Sequence, residues 1–288
     1  MKCPKLVVVC IAILVVLTSC NQWKNTGSTS KADKVAYTGM FIDDTHALAV
    51  GYSGLVQYSN DGGKTWNKGA NNSMCMFACD MIDDTNYFAT GNGKNFIMSN
   101  NAGKSWNHGS NILSGPKGKS ISFTSRTHGW AASKTVLCET VDRGQTWSKI
   151  DLPEGVSMIE TVSAIAEKCG YIVSSKGQLY RTLDAGKTWT ELSTPIPMNS
   201  DAFKPVFTTD NQSIAIRMDT DKGTLAAICK AGKSSILLIT TTEDGGKTWS
   251  KAEKYTLKNA PMTVIISKTG IISVFDKNAV ITKFQTKA

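Results

Sequence analysis

The chain has 288 residues, with 32 Lys and Arg against 23 Asp and Glu and a formal net charge of +9. Only four of the basic residues are arginines (Arg126, Arg143, Arg181 and Arg217), and no nucleic-acid-reading motif accompanies the surplus. A Lys-rich balance of this kind favours acidic lipid, acidic glycan or an acidic protein face, and it excludes a specific nucleic-acid reader.

Residues 1–19 read as a signal peptide. Lys2 and Lys5 precede the apolar run Leu6–Leu17, which is short for a membrane span and suits a signal-peptide core. The run ends in Leu17-Thr18-Ser19-Cys20, which resembles the bacterial lipobox. That resemblance makes Cys20 the expected lipidation site and the new N-terminus. Two acyl chains, at ~0.8 kcal/mol per buried CH₂, suffice for stable anchoring. Cleavage removes two lysines, so the mature chain carries 32 − 2 = 30 basic residues against 23 acidic ones, a net +7. The expectation is a folded domain tethered by lipid in the bacterial cell envelope. The outer membrane is the expected site, with the leaflet left open.

Residues 20–35 admit two readings. Their Ser, Thr and Lys content suits a flexible tether. Yet Gln22-Trp23-Lys24-Asn25 resembles Lys64-Thr65-Trp66-Asn67 and Lys104-Ser105-Trp106-Asn107 further along, which points to a ring-closing strand.

Residues 36–288 carry one unit five times. The copies are SNDGGKTW from Ser59, SNNAGKSW from Ser99, TVDRGQTW from Thr140, TLDAGKTW from Thr182 and TEDGGKTW from Thr242, with starts 40, 41, 42 and 60 residues apart. A period near 40 suits a four-stranded antiparallel blade of a β-propeller. The first unit parses into strands a to d at about Tyr37–Ile42, Ala47–Gly51, Gly54–Ser59 and Lys64–Lys68, with the motif at the c–d turn. Asp61, Asn101, Asp142, Asp184 and Asp244 can accept the turn's unpaired backbone N–H groups. The glycines Gly63, Gly103, Gly144, Gly186 and Gly246 suit a positive φ. Trp66, Trp106, Trp147, Trp189 and Trp249 offer apolar bulk to fill the wedge between sheets. Tyr171 aligns with Leu48, Phe88 and Trp130 on strand b, a core position in each blade.

The pattern [ST]-x-[DN]-x-G-x-[TS]-W resembles the BNR/Asp-box repeat of sialidases and related propellers. With its upstream residues, Phe41 to Trp66 is similar to the repeat of the photosystem II stability/assembly factor-like family. The resemblance implies an all-β, six-bladed propeller of four-stranded antiparallel blades with Asp-boxes at the c–d turns. Five blades end in boxes. Met262–Phe284 supplies three more strands without one, and a closed ring needs a fourth. The interval of 60 holds an insertion, mainly Leu192–Gln212, too short for another blade.

The sialidase resemblance implies three arginines on a carboxylate, a tyrosine–glutamate nucleophile and an aspartate acid/base. Arg143 lies inside a box and Arg181 directly before one, so only Arg126 and Arg217 remain. His46 and His128 occupy equivalent positions two blades apart and read, with His108, as surface turn residues. Asp43-Asp44 and Asp83-Asp84 read as a–b turns. Cys75, Cys79, Cys138, Cys169 and Cys229 form no CxxC or zinc pattern. They read as small hydrophobes, with no metal and no cofactor expected.

Lysines recur at or beside the b–c turns: Lys94, Lys134, Lys176, Lys233 and Lys277. The insertion, with Met198, Asp201 and Phe203, opens on the same b–c/d–a rim, the candidate binding face. The expected function is a non-catalytic, membrane-anchored binding or assembly scaffold with a protein partner or an acidic glycan. A glycan-binding or glycan-hydrolysing propeller is the alternative.

Overall fold

The computed structural model describes residues 23–32, 36–69, 74–92, 95–110, 118–194, 196, 204–205, 213–231 and 233–286. They form six antiparallel sheets arranged as the blades of a propeller. Blade 1 runs Ala36–Phe41, Ala47–Gly51, Val56–Ser59 and Asn67–Lys68. A short 3-10 turn, Tyr52–Gly54, takes the place expected for the start of strand c. Blade 2 is Met76–Met81, Tyr87–Gly91, Phe96–Ser99 and Asn107–His108. Blade 3 is Ser120–Phe123, Gly129–Ala132, Leu137–Thr140 and Ser148–Ile150. Blade 4 is Ile159–Ala166, Cys169–Ser174, Leu179–Thr182 and Thr190–Leu192.

Blade 5 departs from the pattern. Strand a, Ile214–Asp219, shares its edge of strand b with a two-residue strand, Lys204–Pro205, so this sheet has five strands. Strands b and c, Lys222–Ala231 and Ser234–Thr242, have ten and nine residues, against four to six elsewhere. Part of the extra length before the fifth box therefore extends this hairpin, and the rest lies between Leu192 and Ser213. Glu253–Leu257 completes the blade.

Blade 6 is assembled from both ends of the ring. Pro261–Ile266, Ile272–Asp276 and Ile281–Thr286 form strands a to c, and Trp23–Ser28 pairs antiparallel with Ile281–Thr286 as strand d. Residues 23–28 are thus a closing strand and not a tether.

Burial falls outward across each blade. All six residues of strand a in blades 1 and 2 are buried, whereas the two-residue d strands are exposed. The buried apolar side chains form six clusters, each joining two neighbouring sheets. Each box tryptophan packs against the cluster shared with the preceding blade: Trp66 at 6/1, Trp106 at 1/2, Trp147 at 2/3, Trp189 at 3/4 and Trp249 at 4/5. Trp23 fills the corresponding place at 5/6. Leu48, Phe88, Trp130 and Tyr171 are fully buried on strand b. The Trp130 ring lies so close to Gly170 of blade 4 that an added Cβ would come within 2.3 Å of it.

Side-chain hydroxyls and a carboxylate tie the inner strands edge to edge. Thr38 meets Thr263 at 2.8 Å, Ser122 accepts the Ala164 N–H at 3.1 Å, Ser163 accepts the Met218 N–H at 3.0 Å, and Asp80 accepts the Phe123 N–H at 2.7 Å.

Candidate functional site

The five boxes share one hydrogen-bond scheme. In the first, the Ser59 hydroxyl donates to Asp61 Oδ1 at 2.8 Å and accepts the Gly63 N–H at 2.8 Å. Asp61 Oδ1 also takes the Thr65 N–H at 3.0 Å, and Oδ2 takes the Thr65 hydroxyl at 2.6 Å. Those donors, the Thr65 hydroxyl foremost, hold the Asp61 carboxyl at about 2, and the Thr188 and Thr248 hydroxyls do the same for Asp184 and Asp244. Asp142 is lowered for the same reason, by Thr146. In the second box the Asn101 amide donates to Ser105 Oγ at 2.8 Å, so the turn forms without a charge. Gly63, Gly103, Gly144, Gly186 and Gly246 have φ between 79° and 84°.

Each box is also sewn to the a–b turn of its own blade. The N–H of Gly62, Ala102, Arg143, Ala185 and Gly245 donates to the carbonyl of Thr45, Thr85, Thr127, Lys168 and Asp221, respectively, at 2.7 to 3.0 Å. Box and a–b turn therefore close one rim of the ring together.

The sixth blade has the two ends of a box and no turn between them. Register pairs Thr286 with Trp23. In blade 1, Tyr58 pairs with Asn67, which sets Ser59 opposite Trp66. Thr286 hence occupies the box Ser/Thr position and Trp23 the box tryptophan position. Here lies a cavity of 410 Å³, lined among others by Trp23, Thr286, Lys268–Gly270, Arg217 and the blade 5 turn residues Asp219, Lys222 and Glu243. Thr124, Ala164 and Ile165 border it from the mouth of the central channel.

Arg217 sits where the cavity meets the channel. Its guanidinium reaches Asp80 Oδ2 at 3.4 Å and the Phe123 carbonyl at 3.1 Å, joining blade 5 to blades 2 and 3 across the ring. Burial pushes the Asp80 carboxyl up, and Arg217 and the Phe123 N–H oppose that shift. A second buried pair, Lys119 with Glu160, links blades 3 and 4. Neither pairing carried a signal in the sequence, because the partners are 137 and 41 residues apart.

The other arginines are held separately. Arg126 is exposed on its a–b turn, 3.7 Å from Asp83. Arg143 Nη2 reaches Asn86 at 3.4 Å, and Arg181 lies over the Tyr171 ring. Among the described residues no three arginines converge. Tyr171 donates its hydroxyl to the Gly245 carbonyl at 2.9 Å.

His128 corrects the expectation of a surface turn residue. It is buried, with Nε2 2.8 Å from Glu139 and Nδ1 2.7 Å from the Thr124 hydroxyl. His46 is half-buried beside Asp43 at 2.7 Å. Asp43 and Asp83 do serve as turn residues, each accepting two backbone N–H groups. Cys79, Cys138 and Cys229 are buried thiols, while Cys75 and Cys169 are half-buried.

The expected binding lysines Lys134, Lys176, Lys233 and Lys277 do fall in b–c turns, and none makes an ion pair with a described residue. They occupy the rim opposite the cavity. Cys20, Lys94, Met198, Asp201 and Phe203 lie outside the described residues.

Five boxes on six blades define an Asp-box β-propeller. Residues 57–68 match the BNR/Asp-box repeat family. The chain belongs to the Sortilin-Vps10 family (Sortilin, neurotensin receptor 3), which it matches over residues 134–277, half of its length. No curated protein matches the sequence. Among solved structures it is similar to YCF48 from Cyanidioschyzon merolae, at 16% identity and TM-score 0.56 over 92% of this chain and 98% of that one. It is also similar to a YCF48 bound to D1 peptide, at 13% identity and TM-score 0.53 over 93% and 96%. The virginiamycin B lyase of Staphylococcus aureus shares the fold too, at 13% identity and TM-score 0.60 over 92% and 100%. Identities this low establish the shared propeller fold.

Proposed function

We propose that this protein is a non-catalytic binding or assembly scaffold, held by a lipid on Cys20 at a bacterial envelope membrane. The observation that carries the reading is how its buried reactive side chains are used. Asp80 with Arg217, Glu160 with Lys119, His128 with Glu139 and Tyr171 with a backbone carbonyl all bond the ring to itself. What is offered outward is a rigid surface, with lysines that make no ion pair to a described residue on one rim and a cavity on the other. The likeness to YCF48, one structure of which holds a D1 peptide, supports a polypeptide partner for such a surface.

Orientation follows from the closing strand. Trp23 borders the box-rim cavity, so the chain enters its blade from that rim. Cys20 lies three residues earlier, at most about 10 Å away along an extended chain. The box rim then faces the lipid and the Lys134–Lys176–Lys233 rim faces away, free to dock an acidic partner.

Two measurements test this. Cys20→Ala should move the protein from the membrane fraction to the soluble one; retention in the membrane would remove the anchor from the account. Charge reversal at Lys94, Lys134 and Lys176 together should reduce cross-linked partner recovered from solubilised membranes, and its sensitivity to salt. Unchanged recovery, or sialoside turnover by the pure protein that Arg217 or Tyr171 substitutions abolish, would contradict the scaffold reading.

A further inference from the structure

The hydrogen bonds of a box run through its first, third, fifth and seventh residues, as Ser59, Asp61, Gly63 and Thr65 show. The second residue is exposed in all five boxes. In the first, second and fifth it is Asn60, Asn100 and Glu243, so a polar side chain suits the turn. In the third and fourth it is Val141 and Leu183, 60% and 62% exposed. Single apolar side chains are common on protein surfaces. These two hold the same position on adjacent blades, face off the same rim, and are not required by the turn that carries them.

The charges around them also differ from those elsewhere on the rim. Blade 3 has Ser125-Arg126 where the a–b turns of blades 1 and 2 have Asp43-Asp44 and Asp83-Asp84. Over the boxes and a–b turns of blades 1 and 2, five acidic residues stand against two lysines. Over those of blades 3 and 4, three acidic residues stand against four basic ones. Arg126, Lys168 and Lys187 among these are exposed. Arg126 comes no closer than 3.7 Å to Asp83, and the two lysines make no ion pair with a described residue. Apolar tips between basic side chains match the interface of an anionic bilayer, where acyl boundary and charged headgroups meet.

Their place in the ring fits the same partner. Blade 3 stands across the ring from blade 6, whose outer strand begins at Trp23 on this rim. The three residues from Cys20 to Trp23 span at most about 10 Å, too little to cover blades 3 and 4. A lipid at blade 6 alone is a pivot about which the ring can tilt. A second contact on the far side of the rim removes that freedom.

We propose that Val141 and Leu183 insert into the headgroup region of an anionic bilayer and hold the box rim flat against it. Arg126, Lys168 and Lys187 meet the lipid phosphates beside them. The orientation rests on the lipid-anchored reading above, whereas the contact itself needs no lipid on Cys20.

The test is sedimentation of the chain from residue 21 onward, which holds the whole ring and no acylation site. The vesicles are phosphatidylcholine with about 30% phosphatidylglycerol at low salt, and half of the protein should sediment at about 1 mM accessible lipid. Val141→Asn with Leu183→Asn, the residue already present in the first two boxes, should require about tenfold more lipid. Its melting temperature should equal the parent's, which shows the ring intact. Lys168→Ala with Lys187→Ala should weaken binding to the anionic vesicles by about fivefold or more. Equal sedimentation of the parent and the asparagine pair would mean that overall charge alone draws the chain to lipid, and overturns the proposal. So does a parent chain that stays in solution at every lipid concentration. Fractionation of Cys20→Ala in cells reports on the anchor alone, so anchor and contact can fail separately.

Discussion

Blades 1 to 5 and blade 6 reach the same architecture by different means. In the first five, a single turn joins strands c and d, satisfies its own backbone and bonds to the a–b turn beside it. In the sixth, the outer strand comes from the other end of the sequence and nothing covalent spans Thr286 to Trp23. The tryptophan is nevertheless retained at the same inter-blade position. The comparison separates two jobs that the motif performs together elsewhere. Its tryptophan wedges neighbouring sheets apart at the right angle, and its Asp-Gly turn seals the rim. Where only the first is present the ring still closes, and a cavity is left at the rim.

The largest effect should come from removing the wedge where no turn supports it. Trp23→Ala, in a form lacking Cys20, should cost about 3–5 kcal/mol and lower the melting temperature visibly. Trp106→Ala, in a blade whose strands are also joined by a turn, serves as the reference. A Trp23 variant as stable as the parent would break the comparison.

Blade 5, the neighbour of the boxless blade, is also held from inside, by Arg217 reaching across to Asp80. Arg217→Met leaves a buried carboxylate without its cation and should cost about 3 kcal/mol in chemical denaturation. Adding Asp80→Asn should recover a large part of that loss, since the Asn side-chain oxygen can still accept the Phe123 N–H. Absence of any recovery would mean that Arg217 acts through packing alone.

Within an intact box, Thr182→Val keeps the shape and strands the buried Gly186 N–H that the hydroxyl accepts at 2.9 Å. The expected loss is about 1–3 kcal/mol. Thr286→Val, at the matching position of the sixth blade, should change stability little because no box glycine depends on it. Equal losses at the two positions would show that Thr286 already has a structural partner.

The smallest effect is a pH dependence. Asp61, Asp184 and Asp244 are held at about 2 in the folded protein, below the ordinary carboxylate value. Groups lowered on folding add stability that is complete above their unfolded pKa near 4, and it is lost as pH falls towards about 2. Melting temperature should therefore decline over that window. Asp184→Asn should flatten the decline, because the second box already works with an amide, and Asn101→Asp should steepen it.

Much of this was legible in the sequence because the repeat carries its own turn chemistry. Box positions, blade count and the buried residues of strand b all follow from spacing. The likeness of Trp23-Lys24-Asn25 to the outer strands pointed to closure, yet composition alone suited a tether equally well. Only pairing with Ile281–Thr286 decides between them. Strand a defeats an alternation rule because both of its faces are buried, as in Ala36–Phe41. The Arg217–Asp80 contact spans the ring, and His128 is buried against Glu139 of the neighbouring strand, 11 residues on, so neither belongs to the repeat's own pattern. The cavity had no signal in the sequence, because Trp23 and Thr286 come together only when the two ends of the ring pair.

The closing strand is the centre of the account, and peptide-level hydrogen–deuterium exchange on the chain from residue 21 onward tests it most directly. Residues 24–28 pair with Thr282–Gln285 along an antiparallel ladder, so their amides should exchange slowly, together with those of 281–286, and lose protection together when Trp23 is replaced by Ala. Complete exchange of 24–28 at the earliest time point, with 281–286 still protected, would show that the segment is a tether and contradict the ring described here.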